Sequence, residues 1–395
     1  MISAAFIDSL FSSTLSSQAQ FDSLAGNALA KGIDLYQSGD YSGAARMFRS
    51  SIGFSPFTDN AASAYDYMAK AYQKLEKNAD AIRTYKEAIS VFSTRDTFHI
   101  GLGDLYLSTR QFSEAEKEYV AAVRLEPNST DSRYALGQVY LDQGRYQEAT
   151  AQFERVISLA PNSASGYYAL GQALRKSGDF AGAESQLNRA LAKDSRFDNA
   201  LRELGYTYAD MGEMGKAAEQ AAILSSRRSS FAAEVQGYIY ETSAPKIILA
   251  YSTNGFNASL GAGTVVSSMN TALASANAKK SYTMRFGFSK DLDVASVQNP
   301  FNWGISRATG AEVGGAYNWG LKIPSTEVKI NAFPISVTYD SKTSSADVTF
   351  SIAQNTSADG TIDPSHIIFS FKGLDAYGKA MDATADQYSY FSKIV

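Results

Sequence analysis

His99 and His366 are the two histidines of this 395-residue sequence, and no cysteine accompanies them. Acid–base and nucleophilic catalysis lean heavily on those side chains. A serine nucleophile would have to borrow one of the two imidazoles, and no Gly-x-Ser-x-Gly elbow presents such a serine. Without cysteine there is no disulfide, no thiolate and no cysteine-ligated metal. Two acidic pairs stand close enough to consider for calcium, Asp291 with Asp293 and Asp359 with Asp363. A hard cation wants several oxygens from one loop, which neither pair supplies. Asp359-Gly360 is ordinary turn chemistry. Gly261-Ala262-Gly263-Thr264 lacks the lysine and the following helix of a phosphate-binding loop. His99 falls where a large packing residue is due, and His366 opens a predicted strand after Pro364-Ser365, a surface position. The expectation is a non-catalytic chain with no metal and no cofactor. A net charge of −4 gives no basic face for nucleic acid.

The elements that carry these residues announce themselves through glycine. Gly103, Gly137, Gly171 and Gly205 are each 34 residues apart, and a leucine precedes every one of them. Tyr106, Tyr140, Leu174 and Tyr208 keep the same register, as do Ala115, Ala149, Ala183 and Ala217, while Pro127 and Pro161 close two units. Small residues at fixed offsets let one helix approach the next, and large ones such as Tyr140 and Phe153 fill the space that remains. Upstream, Tyr65, Met68, Ala69, Tyr72, Ala81, Tyr85 and Ala88 form a unit with alanine in the glycine place. Gly32, Leu35, Gly39, Tyr41, Ala44, Phe48 and Pro56 form another, set off by about three extra residues that read as a longer loop. Six helix-turn-helix units are therefore predicted over residues 25–231.

This pattern resembles the tetratricopeptide repeat family. The resemblance implies a solenoid whose first helices line a concave groove for extended or helical peptides. Carried onto this sequence, the groove positions are Asp66, Lys70 and Gln73, then Ile100 and Asp104, Tyr134 and Gln138, Tyr168, Gln172 and Arg175, and Arg202. The set lacks the lysines and asparagines with which some members of the family clamp a C-terminal carboxylate.

Near residue 244 the texture changes. Threonine, serine, valine, glycine and aromatics alternate in short runs. Strands are predicted at Lys246–Tyr251, Ser281–Phe288, Gly315–Ile323, Glu327–Ile330, Ile335–Tyr339, Asp347–Ile352 and His366–Phe371. The clearest hairpin joins PISVTYD to ADVTFSI through Ser341–Ser345. The fold class is thus multidomain, an all-α solenoid followed by an all-β sandwich over residues 245–395, with residues 232–244 as linker. The last part of the sandwich looks like the immunoglobulin-like modules of bacterial surface proteins. Two Asn-Trp-Gly triplets, at Trp303 and Trp319, fit core packing, with sugar stacking or a protein interface as the other use of exposed aromatics.

Residues 1–24 carry Ile2, Phe6, Leu10 and Phe11 at helical spacing. They read either as a cap on the solenoid or as a segment that docks on another copy. The N-terminus lacks the basic start and apolar run of a secretory signal, and no apolar stretch is long enough to span a membrane. Sequons stand at Asn128, Asn257 and Asn355. The functional expectation is a scaffold that assembles head-to-tail with copies of itself, as a surface or extracellular filament. The alternatives are a monomeric adaptor for a partner peptide, in the cytoplasm or outside, and a carbohydrate-binding or carbohydrate-active β domain.

Overall fold

The computed structural model describes residues 4–310, 315–390 and 393–394, with side chains from 17 to 390. The chain divides into two compact units, Met1–Tyr208 with Ser226–Phe231, and Ala209–Ser225 with Ala232–Val395.

The first unit is a ladder of antiparallel helix pairs. They are α1 (Ala4–Gln37) with α2 (Tyr41–Phe54), α3 (Asp59–Lys74) with α4 (Asn78–Val91), and α5 (Asp96–Ser108) with α6 (Phe112–Leu125). Next come α7 (Thr130–Asp142) with α8 (Tyr146–Leu159), and α9 (Ala164–Ser177) with α10 (Phe180–Lys193). The helical series ends with α11 (Asp198–Asp210), α12 (Met214–Ser226) and α13 (Phe231–Thr242).

The repeat rests on one contact used again and again. A Cβ placed on Gly103 would stand 2.7 Å from the ring of Tyr119, one on Gly137 2.5 Å from Phe153, and one on Gly171 2.7 Å from Leu187. Gly32 stands in the same relation to Phe48, at 2.5 Å. In every case the large residue lies sixteen positions downstream, on the second helix of its pair. Phe48, Tyr119, Phe153 and Leu187 are fully buried.

The turn inside each pair repeats as well. Glu76, Arg110, Gly144, Gly178 and Gly212 all have positive φ and lie 34 residues apart. That left-handed position suits glycine and is strained for Glu76 and Arg110. Several helices open with a side-chain cap, such as Asp40 on the Gly43 amide, Ser129 on Ser132 and Asp179 on Gly182.

Two expectations about this unit change. The three extra residues between the first two repeats form no longer loop; α3 has 16 residues where α5 and α7 have 13. Its alanine-rich sequence contains no breaker, so the added residues continue the helix. Residues 1–24 belong to α1, which runs unbroken from Ala4 to Gln37 because no proline interrupts it. Ile2 and the side chains of Phe6, Leu10 and Phe11 lie outside the described residues.

The β region of the second unit holds β1 (Ile247–Ser252), β2 (Thr264–Val265), β3 (Lys279–Phe288), β4 (Trp303–Arg307) and β5 (Ser336–Asp340). It continues with β6 (Ser345–Ala353), β7 (Thr361–Ile362), β8 (Ile367–Phe371), β9 (Gln387–Ser389) and β10 (Lys393–Ile394). Two antiparallel sheets, ordered β1-β3-β6-β5 and β10-β9-β8-β4, face each other, and β2 pairs with β7 apart from them. Aromatics close the space between the sheets. Phe286 of β3 lies 5.2 Å from Trp303 and 5.6 Å from Phe369, and Phe350 of β6 lies 5.1 Å from Phe369.

The hairpin β5–β6 has the expected turn, with Val337 opposite Val348. The last predicted strand, here β8, belongs to the other sheet and pairs with β4, a strand the sequence did not suggest. Gly315–Ile323 is no strand; Tyr317–Gly320 forms a 3-10 turn with Asn318 and Trp319 left-handed. The Asn318 amide donates to the Asp363 carboxylate at 2.7 Å, which fixes the turn. Glu327–Ile330 contributes isolated bridges, to Thr361 and Ile352, in place of a strand.

Residues 232–244, expected as a linker, are largely α13, and a buried lysine ties that helix to the sandwich. Lys290 Nζ lies 2.6 Å from Asp375 and donates to the carbonyls of Tyr240 at 2.6 Å and Ser243 at 2.8 Å. The cation thus sits at the C-terminal end of α13, where helix carbonyls lack partners.

Candidate functional site

Repetition brings equivalent side chains of successive repeats to one place. Ser63, Thr97 and Asp131 are 34 residues apart, and so are Asp66 and Ile100, and Lys70 and Asp104. All seven line one open concavity of about 480 Å³ on α3, α5 and α7, with Gln73, Tyr85 and Arg95 beside them. Residues 63, 66, 70 and 73 are one stripe of α3 at helical spacing.

Two buried tyrosines orient its carboxylates. The Tyr85 hydroxyl donates to Asp66 at 3.2 Å and the Tyr119 hydroxyl to Asp104 at 2.6 Å. Burial first, then the neighbouring carboxylates, push both phenols up from their ordinary value, so both remain donors at physiological pH. Lys70 pairs with Asp66 at 2.7 Å, and Arg95 is held by Asp59 outside the concavity. Asp104 and Asp131 are exposed, and among the described residues no cation pairs with either. The surface is therefore polar, acceptor-rich and locally acidic, with half-buried Ile100 and buried Phe98 lining the same space.

Five of the groove positions drawn from sequence, Asp66, Lys70, Gln73, Ile100 and Asp104, thus share the concavity. The remaining ones are engaged by the protein itself. Tyr134 packs on Phe153 at 5.7 Å between ring centroids and Tyr168 on Phe197 at 5.0 Å. Burial, opposed by a hydrogen bond from Gln138, raises the Tyr134 hydroxyl. Glu203, only 2% exposed, takes Arg175 at 2.6 Å and Gln172 at 3.5 Å. Arg202 stacks its guanidinium over Phe231 at 4.3 Å. Sequence reasoning missed Ser63, Thr97 and Asp131, although the 34-residue period that found the others also relates these three.

Each histidine is held by a carboxylate. His99 Nδ1 binds Glu118 at 2.7 Å across its helix pair. His366, expected at the surface, is 1% exposed because β8 enters the core directly after it. Asp363 and the Ser365 hydroxyl both approach its Nδ1, at 2.9 and 3.0 Å. A catalytic triad needs serine and carboxylate on opposite ring nitrogens. Trp303 is core, its N–H on the Val297 carbonyl at 2.8 Å, whereas Trp319 is 58% exposed. No group of three or more potential metal ligands occurs among the described residues. Of the sequons, Asn128 and Asn257 are exposed, and Asn355 is half-buried with its amide on Asp359 at 2.8 Å.

Comparison with known proteins names the helical part. The tetratricopeptide repeat family model matches residues 100–164 and 168–232. Residues 100–232 of the array are built of tetratricopeptide repeats. Neither matched stretch reaches residues 245–395. No curated protein matches the chain. Among solved structures, a tetratricopeptide repeat protein from Parabacteroides merdae is 16% identical, over 55% of this chain and 86% of that one, with a TM-score of 0.48. Pseudomonas aeruginosa pilF is 20% identical over 55% of this chain and 99% of its own, at a TM-score of 0.45. YrrB, described as a tetratricopeptide repeat protein with an unusual peptide-binding site, is 23% identical over 49% and 94%, at 0.38. No helix among the described residues is long and apolar enough to cross a membrane.

Proposed function

We propose that the chain is a non-catalytic interaction scaffold that holds a partner peptide in the concavity of α3, α5 and α7. The observation that carries this reading is the ladder of equivalent residues from three repeats around one open space. Its chemistry selects the partner. Asp104 and Asp131 offer carboxylates that no described cation neutralises, and Gln73 and Ser63 add groups able to bond a peptide backbone. An extended segment with a lysine or arginine over Asp104 and Asp131 fits best. The test is fluorescence anisotropy of the full chain against labelled 15-residue peptides in lysine-containing and glutamate-substituted versions. Lysine peptides should bind, and Asp104→Asn with Asp131→Asn should weaken them about five- to tenfold, the scale of two partly exposed ion pairs. Equal binding of both peptide versions, or an unaffected double variant, would sink the idea.

A second reading, head-to-tail assembly, draws on α1. Its backbone extends to Ala4, well ahead of the first repeat, and Phe21 and Leu24 are 47% and 45% exposed on it. Such a helix could dock on another copy, and a contact that does not close would build a filament. The docking segment would be residues 1–24 or the tail Asp386–Val395. A surface filament, with the sandwich as an immunoglobulin-like module and glycans on Asn128 or Asn257, is the most extended form of this proposal. Removing residues 1–24 should lower the mass in light scattering; an unchanged mass rules out exchange of that segment.

A further inference from the structure

The face of α3 turned away from the peptide concavity forms a second, smaller cleft with α2. Ser42, Ala45, Arg46 and Arg49 of α2 meet Tyr72, Leu75 and Lys77 at the end of α3, around a space of about 250 Å³. Three cations line it and no carboxylate does. That is unusual for this part of the chain. Lys70 is paired with Asp66, Arg83 with Asp80 and Arg95 with Asp59, in a protein whose net charge is −4. No ion pair involves Arg46, Arg49 or Lys77 among the described residues. Converging like charges without a counter-charge repel each other, so the arrangement is relieved by an anion.

The geometry sharpens the class. Ser42, Arg46 and Arg49 stand at helical spacing along one stripe of α2, and the Tyr72 hydroxyl accepts from Arg49 Nη2 at 3.0 Å, which fixes that guanidinium. One N–H is spent on tyrosine and the rest of the fork is left for the cleft. Two arginines, a lysine and a hydroxyl are all donors, and Ala45 and Leu75 supply a short apolar wall. The donor set suits three acceptor oxygens carrying nearly two charges, which is a phosphate ester, better than a single carboxylate.

We infer that the Arg46–Arg49–Lys77 cleft binds a phosphate monoester. It is a site separate from the peptide concavity, and it stands whether or not that concavity binds peptide. The experiment is isothermal titration of the full chain with inorganic phosphate, O-phosphoserine, and a phosphoserine hexapeptide with its unphosphorylated twin, at constant low ionic strength. Saturable binding of the phosphorylated probes is expected, with none of the twin. Arg46→Gln with Arg49→Gln should weaken it at least tenfold and Lys77→Gln about threefold, whereas Asp104→Asn should leave it unchanged. The three substituted side chains are exposed, so the variants should keep the helical circular dichroism of the parent. Tighter binding of the phosphopeptide than of free phosphate assigns the ester to a protein partner; equal binding assigns the phosphate group alone. Binding that is absent in the parent, or equal in the arginine double variant, overturns the inference.

Discussion

A glycine on the first helix of a pair is read best by what lies on it. Gly137 leaves room for Phe153 and nothing more, so Gly137→Ala must push a buried ring against a close-packed core. Overpacking of that kind costs about 1–3 kcal/mol, more than the small gain from alanine's helix propensity. Urea denaturation should show the loss. The reverse holds at Arg110, whose φ of 59° is a glycine conformation. Arg110→Gly should stabilise the array by up to about 1 kcal/mol, the strain that a side chain meets there. A lower urea midpoint for that variant would contradict the assignment of the turn.

A third residue-scale prediction concerns acid. The Thr384 amide and hydroxyl, and then Lys246, hold the Asp382 carboxyl down to about 2 from its ordinary 3.8. A depressed folded value stabilises the protein above the unfolded value, and the benefit is lost as pH falls from near 4 through 2. Asp382→Asn should therefore cost about 1 kcal/mol near neutral pH, the extra strength that the charge lends these hydrogen bonds, and almost nothing below pH 2. A cost independent of pH would refute the role given to the charge.

Among the elements, α13 shows most clearly what a sequence conceals. Its twelve residues follow the last matched repeat and carry no glycine-register signal, so a linker was the natural reading. The decisive partner is Lys290, some fifty residues downstream, 3% exposed and held by Asp375. Lys290→Ala would leave that carboxylate buried without a counter-charge, a loss of about 3–5 kcal/mol. Hydrogen exchange in Phe231–Thr242 should speed up before the sandwich core does. Exchange that stays slow there would mean that other contacts hold the helix. The two Asn-Trp-Gly triplets teach the same lesson. Trp303 lies in the core on β4, and Trp319 is exposed in a left-handed turn set by Asp363, so local sequence could not separate them. The hairpin β5–β6 was legible because its alternation and its turn are local. The 34-residue ladder was legible because one contact repeats.

For the molecule as a whole, the same logic divides the candidate site. The stripe of Asp66, Lys70, Ile100 and Asp104 follows from repeat offsets alone. That Tyr168, Gln172 and Arg175 are already engaged depends on Phe197 and Glu203, partners that no period relates to them. A scaffold whose second, third and fourth repeats line the open concavity, and whose later repeats are internally satisfied, should bind its peptide in the N-terminal half of the array. Hydrogen exchange of the full chain with and without a bound lysine-containing peptide tests this most directly. Protection should appear in residues 63–73 and 97–104 and at the start of α7. Protection confined to α9 and α11, or to the sandwich, would contradict the account.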